Sequence, residues 1–222
     1  MSRIATIIVI TLLSLSISTK AQEVKYGITA GFCFPSIVLS NVSENKYYSA
    51  EGTFTETYHI NAIVRFLSDS WWEISLEPGF IKKGGGLNFR YETNSDIIYY
   101  ENNKEYSNLE LPILFNLYFF NQRFYASTGL ELDYTLSTQN YGYSHNYEIL
   151  PNMNNKFSIS AILGISYKLS DNYDIGIRYS LGITKLVKVD LIDAANYPYQ
   201  HPPAVTSIYN NCFQLSLKYN IE

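Results

Sequence analysis

Two long runs of alternating side chains, joined only by Asn121 and Gln122, limit what this chain can fold into more than any other feature. In the first run, Leu109, Leu111, Ile113, Phe115, Leu117 and Phe119 fall on one side, and Glu110, Pro112, Leu114, Asn116 and Tyr118 on the other. In the second, Phe124, Ala126, Leu130, Leu132, Tyr134 and Leu136 oppose Ser127, Gly129, Glu131, Asp133 and Thr135. A period of two is the signature of a β-strand, so Tyr106 to Leu136 reads as one antiparallel hairpin. Its strands exceed the usual globular length of about 5 to 6 residues and match the roughly 9 to 11 that a tilted strand needs to cross a bilayer.

The same alternation recurs along the chain. A first strand is expected from Val24 to about Phe34, a second from about Phe54 to Leu67, and a third from Trp71 that continues past Gly84 towards Tyr91. Pro78 and the run Gly84 to Gly86 make a bulge or bend expected in that third strand. The hairpin supplies strands four and five; strands six, seven and eight follow at Lys156 to Leu169, from Tyr173 to about Thr184, and from Cys212 to Ile221. Connections after strands two, four and six are short. Those after one, three, five and seven are long: Ser36 to Thr53, Lys82 to Asn103, Gln139 to Asn155 and Val187 to Thr206. Short turns at one end and long loops at the other are the asymmetry of outer-membrane barrels. The expected fold is an all-β, eight-stranded antiparallel up-and-down transmembrane barrel with both termini periplasmic. A soluble lipocalin-like barrel is the competing architecture, with the apolar set turned inward instead.

The first residues agree with export. Arg3 precedes an uncharged, apolar run from Ile4 to Thr19, and Thr19 and Ala21 are small residues at the spacing a signal peptidase reads. Residues 1–21 are therefore expected to be a signal peptide, with residues 22–222 forming one barrel domain. Cleavage removes two of the 16 basic residues, Arg3 and Lys20, leaving 14 bases against 20 acids. That net negative charge speaks against a nucleic-acid partner, which needs a basic face. The 21 tyrosines suit the aromatic girdles that barrels place at both membrane interfaces.

The strand assignments put Lys25, Arg65, Glu73, Glu77, Glu110, Glu131, Asp133, Lys168, Asp174, Arg178 and Lys218 on the inward face. Eight strands enclose only enough room for side chains, so these groups are expected to pair with one another as a lumen charge network. Cys33 and Cys212 are each nine residues from the expected periplasmic end of their strands, counted from Val24 and Ile221. Barrel closure makes those strands neighbours, and a disulfide or close contact across the seam is expected. His59 reads as lumenal, and His145 and His201 as loop residues. Their spacing matches no metal motif, and the chain carries no GxSxG, so no cofactor, metal or catalytic residue is assigned.

The stretch EPGFIKKGGG, followed later by YSNLELPILFNLYF, resembles the Bacteroidetes outer membrane β-barrel family labelled porin-like or PorT-like. Lys83 and Gly84 match the Lys-Gly pair that ends one strand in that family. Tyr106, Leu109, Glu110, Leu111 and Pro112 approximate its YLEIPLL-type strand, with Ser107 and Asn108 inserted. The resemblance implies the barrel and, for a few members, a place in a protein-secretion system. The expected function is a non-enzymatic, monomeric outer-membrane protein in contact with outer-membrane lipid. Its Tyr-rich loops, with Tyr47, Tyr48, Tyr99, Tyr100, Tyr141, Tyr143, Tyr197 and Tyr199, would meet an extracellular ligand or envelope protein or serve envelope integrity. A small passive pore, a secretion component and a lipid-modifying enzyme are the alternatives.

Overall fold

In the computed structural model, residues 24–40, 48–67, 71–92, 97–142, 155–185 and 207–221 are described. The expected signal peptide, His145, His201, the turn at Ser68 to Ser70, the loop from Val187 to Thr206, and Tyr47, Tyr143, Tyr197 and Tyr199 lie outside them. The side chains of Tyr48, Tyr99, Tyr100 and Tyr141 also fall outside the description.

Among the described residues, ten antiparallel strands form a single sheet: β1 (Val24–Ser40), β2 (Tyr48–Thr53), β3 (Thr57–Leu67), β4 (Trp72–Leu76), β5 (Gly79–Glu92), β6 (Ile97–Phe119), β7 (Phe124–Gly142), β8 (Phe157–Lys168), β9 (Tyr173–Gly182) and β10 (Ser207–Ile221). Around the sheet, β1 is followed by β10, β9, β8, β7 and β6, and β6 pairs with both β4 and β5. The last stave, β3, pairs with β1 from Val24↔Phe66 to Cys33↔Thr57, which closes the ring. Since β4 and β5 follow one another along one stave, and β2 and β3 along another, the ten strands make eight staves. Closure leaves the membrane-spanning part of the sheet with no edge to satisfy in lipid.

The stave of β4 and β5 is broken where Pro78 lacks an N–H to donate. The ladder survives because the Glu77 N–H donates to the Pro112 carbonyl, and the Ala62 N–H to the Pro78 carbonyl, each at 2.9 Å. Further along, Gly84 and Gly85 have φ of 145° and 150°, a region open in practice to glycine alone. A Cβ on Gly84 would also stand 1.9 Å from the Lys104 carbonyl oxygen. Gly84→Ala is therefore expected to cost at least about 1 to 3 kcal/mol, read as a lower yield of heat-modifiable, folded barrel on an unboiled gel.

At the other bend, β6 and β7 meet in a four-residue turn, in which Phe120, Asn121 and Gln122 all have φ between 49° and 64°. The exposed Phe120 ring is held by Phe119 and Phe124, with centroids 5.3 and 6.0 Å away. With Trp71, Trp72, Tyr167, Tyr173 and Tyr219, these rings surround the short-turn end of the barrel.

Side-chain burial is inverted relative to a soluble protein. Leu163 and Phe32 are each 66% exposed, whereas Glu77 and Glu131 are 0% exposed. Apolar residues outside and charged residues inside is the arrangement hydrocarbon demands, and it removes the lipocalin-like alternative. On β6 the apolar outer face runs from Leu109 to Phe119. It ends near an outward ion pair, Lys82 to Glu105 at 3.6 Å, whose ammonium also lies 5.6 Å from the Tyr58 ring centre.

The strands are longer than expected on the long-loop side. β1 reaches Ser40, β2 begins at Tyr48, β5 and β6 fill most of Lys82 to Asn103, and β7 continues to Gly142. Three expected loops are thus corrected in part to strand. Past the apolar band no lipid face is required, so apolar alternation stops while backbone pairing continues.

Candidate functional site in the barrel interior

Inward alternation delivers the polar side chains of all eight staves to one enclosed column. Among the described residues, its buried carboxylic acids are Glu73, Glu77, Glu110, Glu131, Asp133 and Asp174, set against the buried lysines and arginines Arg65, Lys83, Lys104, Arg178 and Lys218. A buried charge is tolerated only when paired and hydrogen-bonded, and the column is arranged accordingly in three tiers.

Nearest the short turns, Arg65 on β3 reaches Asp174 on β9 at 3.0 Å and Glu73 on β4 at 3.7 Å. Tyr125 donates its hydroxyl to the same Asp174 oxygen at 3.0 Å. Asn116 donates to Glu73 at 2.9 Å and to Ser75 at 3.0 Å, and accepts from Ser127 at 2.5 Å. Four neighbouring staves, those of β3, β4, β6 and β7, are tied together by these bonds, and Asp174 adds a fifth, β9.

At mid-height, the guanidinium of Arg178 grips Glu77 with two parallel bonds of 2.5 and 2.6 Å, while Lys218 Nζ lies 3.3 Å from the same carboxylate. Fork-on-carboxylate pairing is the strongest geometry available to an ion pair. It spans the interior from β9 to the β4–β5 stave, so the centre of the column is occupied by this pair.

The third tier gathers Glu110, Glu131 and Asp133, each offering one oxygen within 4.8 Å of the others. Lys83 is bonded to Glu131 and lies 2.7 Å from Asp133 Oδ2. Ser180 donates to Glu131 at 2.8 Å, and Asn61 to Glu110 at 2.8 Å. Beside this tier, the Cys33 thiol sits 3.1 Å from Nδ1 of the buried His59.

Of the eleven residues expected on the inward face, Arg65, Glu73, Glu77, Glu110, Glu131, Asp133, Asp174, Arg178 and Lys218 lie in these tiers. Lys168 is half-buried at the rim, its ammonium 4.5 Å from the Tyr118 ring centre, and Lys25 is exposed one residue from the start of β1. Lys83 and Lys104 were not among the expected inward residues. Extending the alternation Glu73, Ser75, Glu77, Gly79 to Ile81 and Lys83, or stepping back from Glu110 through Asn108 and Tyr106 to Lys104, places both inside. The expected bridge between Cys33 and Cys212 is not made, since both are free, buried thiols, but the close contact expected as its alternative is: the two thiols interact with each other and cluster with Ile81. Cys33 faces Gln214, and Cys212 faces Pro35. That diagonal relation typically separates Cα atoms by about 7 to 8 Å, beyond the usual disulfide range.

The family comparison agrees with this architecture. Residues 19–188 match the family described as "Outer membrane protein beta-barrel domain". Among curated proteins, none matches the sequence. Solved structures similar to this chain include Neisserial surface protein A (9% identity, 90% of this chain and 100% of that one, TM-score 0.48). OprG from Pseudomonas aeruginosa is 12% identical over 90% of this chain and 97% of that one, with a TM-score of 0.44. Ail, the attachment invasion locus protein of Yersinia pestis, is 12% identical over 90% and 99%, also at 0.44. The family match spans most of the chain, and its description names the architecture of the closed sheet: the chain belongs to the outer membrane protein beta-barrel domain family, and its place is the bacterial outer membrane.

Proposed function

We propose that the protein is a non-enzymatic, monomeric outer-membrane barrel whose interior is plugged by its own paired charges. Its termini face the periplasm, and its long-loop end meets an extracellular ligand or an envelope protein. The observation that carries this reading is the grip of Arg178 on Glu77 across the middle of the column, at 2.5 and 2.6 Å. An eight-stave interior is wide enough only for side chains, and a bidentate pair bridging it leaves an ion no continuous aqueous path. Long-loop binding is supported by the extension of β5, β6 and β7 beyond the apolar band, which holds that end clear of the membrane surface.

The purified protein reconstituted in a planar bilayer is expected to give no steady channels; reproducible unitary conductance would replace the plugged reading with that of a small passive pore. The secretion-system alternative has the Lys83–Gly84 resemblance in its favour. In this chain, however, Lys83 is engaged with Glu131 and Asp133 inside the barrel, which already accounts for it. A lipid-modifying activity would need a lipid A mass shift that depends on His59, His145 or His201.

A further inference from the structure

The column does not end at the third tier. Above Lys83, towards the long loops, lies a small cavity with room for about one water-sized guest. Asn108 from β6, Asp133 from β7 and Asn210 from β10 line it, together with Lys83 and the tyrosine ring of Tyr106. Each of the first three is more than nine-tenths buried. Each also presents a side-chain oxygen without a hydrogen-bond donor: Asn108 Oδ1, Asp133 Oδ1 and Asn210 Oδ1. Buried acceptors left this way are costly, and three from separate staves around one cavity point to a shared guest.

The chemistry of that guest follows from two counts. A water molecule has two protons to donate and cannot satisfy three acceptors at once, whereas a cation can coordinate all of them. Charge points the same way. The adjoining tier crowds three carboxyl groups, Glu110, Glu131 and Asp133, within 4.8 Å of one another beside Lys83, and Glu110 Oε2 accepts no hydrogen bond among the described residues. All the donor atoms are oxygens, the preference of hard cations. Carboxamide and carboxylate oxygens from three strands, in no regular octahedron, suit calcium's flexible coordination better than magnesium's strict one.

We propose that this cavity is a binding site for a calcium-like divalent cation, held by Asp133 Oδ1 with the carboxamide oxygens of Asn108 and Asn210. The ion would join β6, β7 and β10 at the long-loop end, adding a cross-link above the ion pairs already there. Nothing in it depends on whether the lumen conducts.

The test uses the full chain, refolded in detergent and freed of metal with a chelator, then titrated with calcium chloride in a calorimeter. Saturable binding is expected, and Asp133→Asn should weaken it by about tenfold or more. Because removing a lumen charge can itself impair folding, the neutral double variant Asn108→Ala/Asn210→Ala serves as the second arm. It should remain heat-modifiable and yet bind calcium more weakly. Terbium, a luminescent calcium surrogate excited through tyrosine, should emit less from Tyr106→Phe while calcium affinity is kept. No saturable heat in the parent protein, meaning that the cavity holds only water, overturns the proposal. So does calcium binding that is undiminished in both Asp133→Asn and the double variant, which would place it at surface carboxylates.

Discussion

Replacing Glu77 by Ala is expected to lower the unfolding free energy by about 3 to 5 kcal/mol, the usual cost of removing one partner from a buried ion pair. Glu77 is 0% exposed and receives both Arg178 and Lys218. Its removal would leave two cations facing one another in a dry interior with no anion between them. Substituting the whole set, Glu77→Leu with Arg178→Met and Lys218→Met, is expected to be neutral or stabilising, because apolar groups of similar volume carry no desolvation penalty. The pair of results separates the worth of the network from the cost of breaking it. Urea unfolding in lipid vesicles, followed by the fluorescence of Trp71 and Trp72 at the short-turn rim, gives both numbers. A Glu77→Ala midpoint equal to the parent's would mean that the carboxylate is not the anchor of the central tier.

What the sequence disclosed, and what it hid, follows the membrane. Leu109 to Phe119 and Phe124 to Leu136 were legible because hydrocarbon requires an apolar side chain at nearly every second position. Ile97 to Asn103 belong to the same strand, β6, yet read as loop, since past the apolar band only the backbone must be paired. A register shift between Ser107 and Asn108 also sits at that boundary, leaving Leu136 as the extra residue between Thr135 and Ser137. Such a bulge interrupts the alternation that a reader would follow. At the cysteine seam the contact was legible and the absence of a bridge was not, for a different reason. Counting equal distances from Val24 and Ile221 assumes that those residues face each other, but Ile221 pairs with Tyr26, two residues further along. Neighbouring staves of a barrel are staggered by its shear, a property of the closed sheet that no single strand carries in its own sequence. Lys83 was hidden by Pro78 and the glycines after it, because a bulge or bend expected there breaks the alternation that would otherwise assign a facing beyond Gly79.

Leu163→Arg is the second large effect expected, and it tests the direction in which the barrel faces. Leu163 lies near the middle of β8, directed outward, opposite Thr128 on β7 and Tyr179 on β9, and is 66% exposed. In a water-soluble barrel an exposed leucine is a favourable place for a charge, so arginine there would be neutral or would improve solubility. In a bilayer the same position is close to the midplane of the apolar band, where arginine costs about 2 to 4 kcal/mol. The penalty should fall to about 0 to 1 kcal/mol for an arginine nearer an interface, and Phe157→Arg, at the long-loop end of the same strand, provides that comparison. Refolding the two variants into vesicles and measuring their urea midpoints yields a depth profile. A large loss at 163 with a small one at 157 is the signature of a lipid-facing stave. Equal, small effects at both would place the apolar surface of β8 against something other than hydrocarbon.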